Sequence, residues 1–254
     1  MSTVNDFYNF LDEIAPFSAQ ESWDNSGFLV GDGFRRVEKA IVALDATEPV
    51  LDEASRSGAQ LIITHHPVIF GSLKEFHPDS IAFLAAERGI AVISSHTSLD
   101  VADDGVNDCL AAALRLKNVH KCEDELGLLR IGELENALPC KEFIEYVAER
   151  INVVGIKYTP TEKSIKTVAV CGGSGAEFFR DAMAAGADAF VTANIKHNFF
   201  IDIRRAGFCV LDAGHFCTEN TVIRPFAERL AEHFPDVQIE VSKVSCDPAE
   251  YWAK

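Results

Sequence analysis

EASRSGAQLIITHH (53–66) aligns without a gap on DAMAAGADAFVTAN (181–194), matching alanine, glycine, alanine and threonine at the same places. In each stretch a helically spaced segment closes on glycine and leads into a short apolar strand, the pattern of a crossover helix feeding a buried strand. The match extends outward. KAIVAL (39–44) and KTVAVC (166–171) precede the two stretches as similar strands, and RGIAVISSHTSLD (88–100) lies over RAGFCVLDAGHFCTE (205–219) with two extra residues in the second copy. An internal duplication of a strand–helix–strand unit follows, and such alternation is the mark of an α/β fold.

The other strand signals fit that frame. TVAVC (167–171), AFVT (189–192), FCVLD (208–212) and VQIEV (237–241) are short and rich in β-branched residues. EPVLDEASRSG (48–58) and AEFFRDAMAAG (176–186) read as helices, with Thr47 and Ser174 as N-caps and a terminal glycine. A further helix is expected at 140–151, in the segment where a second domain begins. The expected organisation is two similar α/β domains, 1–124 with 215–254 and 125–214, and a metal site in the cleft between them.

Composition narrows the function classes. Lys and Arg total 23 against 39 Asp and Glu, so a formal charge of −16 opposes a phosphate backbone, and general nucleic-acid binding is disfavoured. The seven cysteines show no C-x-x-C pair and no regular framework, as expected of cytosolic thiols. The first residues, MSTVNDFYNFLDEIAPF, lack a basic and then apolar leader, and no run approaches the roughly 18 apolar residues of a membrane span. A cytoplasmic protein that does not enter the membrane is expected.

The chemistry gathers at strand ends. LIIT runs into His65-His66-Pro67, IAVISS into His96, and FCVLDAG into His215. In open α/β sheets the carboxyl ends of the strands face the ligand crevice, so strands distant in sequence deliver their terminal side chains to one place. His96 and Asp100 are spaced i, i+4, as are His215 and Glu219, and that spacing puts imidazole and carboxylate on one face of a helical turn. Four imidazoles and two carboxylates exceed the needs of one tetrahedral zinc ion, which favours two divalent ions per chain. Mixed nitrogen and oxygen donors suit zinc, iron, manganese or nickel. Cys217 sits on the far side of its turn and is read as packing.

Two glycine-bearing segments remain. CGGSG (171–175) joins a strand to a helix and reads equally as a phosphate cradle or as a tight turn that needs positive φ. SWDNSGFLVGD (22–32) has the composition of a pocket-lining loop, with Trp23, Asp24 and Asn25 as substrate candidates; its plainer reading is an edge turn with a buried tryptophan.

Together SWDNSGFLVGD, LIITHHPVIF, SSHTSLD, GVND, CGGSG and DAGHFCTE resemble the Nif-three-like dinuclear metal-centre family, often labelled type 2 GTP cyclohydrolase I homologues, along essentially the whole chain. The resemblance implies two similar α/β domains, a two-metal site and a homo-oligomeric, hexameric ring. Its metal ligands fall on His65, His66, His96, Asp100, His215 and Glu219. One departure concerns Thr192-Ala193-Asn194-Ile195-Lys196-His197-Asn198, where the family shows threonine, glycine and an acid; Lys196 and His197 are the substrate candidates there. A metal-dependent hydrolase of a nucleotide or pterin-like small molecule is the leading expectation. A metal-handling or chaperone protein and a ring-forming scaffold are the alternatives from other classes.

Overall fold

The computed structural model describes residues 1–71, 73–122 and 126–252. In chain order the first stretch holds α1 (Val4–Ile14), β1 (Gly27–Val30), β2 (Lys39–Ala43), α2 (Glu48–Ser57), β3 (Leu61–Thr64), α3 (Ile81–Glu87), β4 (Ala91–Ser94) and α4 (Thr97–Val101). The middle of the chain carries α5 (Val106–Ala113), β5 (Lys117–Lys121), β6 (Arg130–Leu138), α6 (Cys140–Ile151), β7 (Lys157–Tyr158), β8 (Ile165–Ser174), α7 (Phe179–Ala184), β9 (Ala189–Ala193), α8 (His197–Ala206), β10 (Cys209–Asp212) and α9 (His215–Glu219). Finally come α10 (Ile223–His233) and β11 (Gln238–Val241).

These elements make two compact units. One comprises Met1–Gly105 with Ile223–Cys246, the other Val106–Val222 with the residues from Asp247 onward. The expected boundary at 124/125 lies outside the described residues, and the division falls instead at Gly105/Val106. The return to the first unit comes at Val222/Ile223 rather than 214/215. The reason is packing: α5 lies on β8 and β6, and α9 on β8 and β9, so residues 106–122 and 215–222 belong with the second sheet. His215 and Glu219 are therefore second-unit residues.

The two sheets repeat one plan. The first has the order β1-β4-β3-β2-β11, the second β5-β6-β8-β9-β10-β7. In both, three parallel strands form the centre: Ala40 pairs with Leu61 and Leu61 with Ala91, as Val168 pairs with Ala189 and Ala189 with Cys209. In both, a short antiparallel strand flanks them, β1 on β4 and β7 on β10. LIIT is buried along its whole length because parallel strands are covered on both faces. Ile41, Ile62 and Val92 pack with Val50, Leu51 and Ala54 of α2 in the first core. Val168, Val191 and Leu211 pack with Phe143 and Val147 of α6 in the second.

Local signals explain the joints. Thr47 caps α2 by accepting from the Val50 N–H, and Gly58 ends it at φ 72. The helix expected at 140–151 spans those residues, following Pro139 and stopping at Asn152 in the left-handed region. Ser174 is not a cap. It is the last residue of β8, and a 3-10 turn at Ala176–Phe178 comes before α7. GFLV within 22–32 is an edge strand rather than loop, and Trp23 is exposed rather than buried. Among the described residues no helix is long and apolar enough to cross a membrane.

Candidate metal centre

The first unit brings three imidazoles together at the carboxyl ends of β3 and β4. His66 continues β3 by donating its N–H to the Leu44 carbonyl, while the Ser95 N–H donates to the Thr64 carbonyl, so both strand ends stay in register beyond the last residue of the ladder. Ring centroids are 4.9 Å apart for His65–His66, 5.0 Å for His65–His96 and 5.4 Å for His66–His96. One nitrogen from each ring can be chosen so that all three lie within 4.8 Å of one another.

Which nitrogens these are follows from the surroundings. Nδ1 of His65 lies 2.9 Å from the Ser95 carbonyl oxygen, Nδ1 of His66 2.7 Å from an Asp45 oxygen, and Nδ1 of His96 2.7 Å from an Asp24 oxygen. Each partner is an acceptor, so each neutral ring donates from Nδ1 and presents the Nε2 lone pair. Oxygen partners behind the rings in this way fix tautomer and orientation for metal binding. Asp100, on the first turn after His96, places a carboxylate oxygen 3.6 Å from His65 Nε2. The donor set thus fits a divalent cation that takes nitrogen and oxygen ligands.

Asp24 is the most heavily engaged of these supports. Its Oδ2 accepts from Ser26 Oγ at 3.0 Å and from the Thr97 N–H and hydroxyl at 3.0 and 2.6 Å. Burial pushes its pKa up, but the hydrogen bonds from His96, Thr97 and the Asn25 N–H outweigh burial and hold it well below the ordinary carboxylate range. Asp24 is therefore an anion that orients His96. Asn25 turns the other way and donates from Nδ2 to the Ile69 carbonyl at 2.7 Å. Trp23 stands near-perpendicular to the His96 ring, centroids 5.8 Å apart.

The second unit holds the remaining pair. Gly214 precedes α9, and His215 Nε2 lies 2.9 Å from Glu219 Oε2 across one helical turn. Asn194 lies behind the ring, its side-chain amide 2.8 Å from His215 Nδ1. Glu219 is buried, and it comes close to β8 only because Gly173 lacks a side chain: a Cβ there would fall 2.1 Å from Glu219 Oε1, and the residue sits at φ +61. CGGSG is accordingly a close-approach turn. Its Gly172, Gly173 and Gly175 N–H groups donate to Asn107 Oδ1, Thr218 Oγ1 and Thr192 Oγ1, so they are not a phosphate cradle. Lys196 and His197 stand exposed at the start of α8. Cys217 packs against the second core, as expected.

Sequence reasoning misses Asp45 and the contact between Asn194 and His215, while the positive φ expected within CGGSG falls on Gly173. Asp45 carried a usable signal, since it lies just past β2, at the same kind of strand end as the histidines. Asn194 was noticed as a departure from a familiar pattern, without its partner His215.

A family model described as Duf34/NIF3 (NGG1p interacting factor 3) matches residues 2–248. The chain belongs to the DUF34/NIF3 family. Among its relatives, a protein of Clostridium perfringens described as a GTP cyclohydrolase 1 type 2 homolog is 33% identical, over 98% of this chain and 99% of that one. A crystal structure of a hypothetical protein from Staphylococcus aureus aligns with TM-score 0.94 and 28% identity, covering 98% of this chain and 99% of that one. The structure of reduced HcgD from Methanocaldococcus jannaschii aligns with TM-score 0.81 and 25% identity, covering 95% and 98%. For this DUF34/NIF3 chain, family and α/β fold rest on sequence and structure together.

Proposed function

We propose that His65, His66, His96, Asp100, His215 and Glu219 are ligands of two divalent ions, and that the protein is a metal-dependent hydrolase acting on a nucleotide or related heterocycle. The observation that carries the metal reading is the Nδ1 pattern: three clustered imidazoles each have an oxygen behind Nδ1, which makes Nε2 the ligand atom of the neutral ring. Four imidazoles and two carboxylates support two ions rather than one, and the names of the relatives support a nucleotide or heterocyclic substrate. When bound, such a pair supplies Lewis-acid chemistry, activating water near neutral pH and offsetting negative charge that develops on a carbonyl or phosphoryl group. The chain's own part is to orient the rings through Asp24, Asp45 and the Ser95 carbonyl. The resemblance also supports a homo-oligomeric ring, with light scattering as its test.

The deciding measurement is metal content per chain on protein purified without a chelating tag, with a chelator-stripped sample assayed in parallel on GTP. Close to two ions and turnover that disappears on stripping support the hydrolase. Two ions without turnover shift the function to metal handling, and absence of metal under replete conditions overturns the centre.

A further inference from the structure

Two large aromatic side chains stand edge-on beside the imidazole cluster. Trp23 is 59% exposed and Phe70 56% exposed. Both approach the same ring: Trp23 lies 5.8 Å from His96 at an interplanar angle of 74°, Phe70 5.7 Å from it at 84°. Their backbones are anchored although the rings face solvent. Trp23 adjoins Asp24, which is fixed to His96 and Thr97, and Phe70 follows Ile69, whose carbonyl accepts from Asn25. One short segment, residues 23–25, therefore positions both rings relative to the same metal-type histidine.

We propose that Trp23 and Phe70 grip the planar ring of a heterocyclic ligand at the His65–His66–His96 cluster. This inference rests on the metal-centre reading above and adds the means by which the ligand is recognised. Exposed aromatic faces on a fixed backbone stack with planar heterocycles and discriminate little among them, because every such ring offers a π face. A cation held by the imidazoles would draw an oxygen substituent of the ligand, while the two rings select for flatness. The ligand class that satisfies both is a planar oxo-substituted heterocycle, such as a guanine or a pterin.

Trp23 and Trp252 are the chain's two tryptophans, so Trp252→Phe leaves Trp23 as the sole indole reporter. Zinc-loaded protein of that variant is titrated with guanosine 5′-monophosphate, followed by Trp23 fluorescence, with ribose 5-phosphate as the control that lacks the ring. Equilibrium dialysis with guanosine 5′-monophosphate and with pterin is run on wild type, Trp23→Leu and Phe70→Leu, and bound zinc is measured on every sample. The proposal expects saturable quenching by the nucleotide and none by the sugar phosphate. It also expects about tenfold weaker ring binding in each leucine variant at unchanged zinc content. Equal binding of ribose 5-phosphate, undiminished affinity in Phe70→Leu, or no binding of either ring compound by zinc-loaded wild type would overturn it. Failure of wild type to hold zinc would instead show that the metal-centre reading itself is wrong.

Discussion

The same strand–helix–strand unit occurs twice in this chain and ends differently each time. In the first copy the strand Leu61–Thr64 runs into two histidines; in the second, Ala189–Ala193 runs into Asn194, which occupies the position of His66 in the gapless alignment. Beyond the next strand the first copy offers His96 and Asp100, the second His215 and Glu219. The buried framework is retained, down to Thr64 and Thr192, which pair with Ser94 and Asp212 of the next strand. What differs is the supporting chemistry. His66 and His96 have carboxylates behind Nδ1, whereas His215 has an amide, and Asn194 stands behind a ring where His66 is a proposed ligand. On the proposed assignment, one scaffold position supplies a ligand or holds one, depending on the side chain it carries.

The most severe way to break the comparison is His66→Ala, which removes a donor from the copy that concentrates them. Metal content is expected to fall sharply while the circular dichroism spectrum is retained; full retention of metal would sink the ligand assignment. Asp24→Asn comes next. Replacing the anion behind His96 leaves the ring present but weakly oriented, and metal affinity should drop about 10–100-fold in a chelator competition. Asn194→Asp runs in the opposite direction, giving the second copy the carboxylate support of the first. Metal retention against a chelator should improve by several fold, on the order of 1 kcal/mol, and an unchanged value would mean that the support behind His215 has no bearing on its grip.

How much of this was legible depended on how local each signal was. LIIT and residues 140–151 were readable because Gly58, Pro139 and Asn152 punctuate them at the chain level. The six ligand candidates were legible because strand ends and i, i+4 spacing are sequence patterns. GFLV at 27–30 was not, since four residues beside glycines carry no period of their own and become a strand only by pairing with β4. Phe70 was invisible as a site residue for a similar reason: it approaches His96 across the fold. The boundary near residue 105 was misplaced because α5 is assigned by what it packs against, which its own spacing does not reveal.

The smallest expected effect lies far from the centre, at the first helix. Thr3 donates from its hydroxyl and its backbone N–H to the Asp6 carboxylate at 2.7 Å each, and these bonds hold the Asp6 pKa below its ordinary value. A folded pKa depressed below the unfolded value of about 3.9 gives stabilisation that is present above that pH and lost as pH falls through the folded value. Asp6→Asn should therefore destabilise by about 0.5 kcal/mol at pH 7, a figure reduced for solvent screening, and by less at pH 2. A difference that grew on acidification in urea unfolding would contradict the capping role. As a site outside the repeat, it also supplies the baseline for the other variants.

The hydroxyls of Thr64 and Ser94 lie 2.8 Å apart, and both reach the His66 carbonyl, at 2.8 and 3.2 Å. They act as a latch between neighbouring strand ends, set while the sheet forms. A ligand set mounted on latched strands is ordered before any cation arrives, so binding does not have to close a loop, and the entropy of assembly is spent in folding. In zinc-finger-like domains, by contrast, the metal is the fold. Here the two are separable: stripping the centre should leave the sheet standing, and an empty protein should refill without refolding.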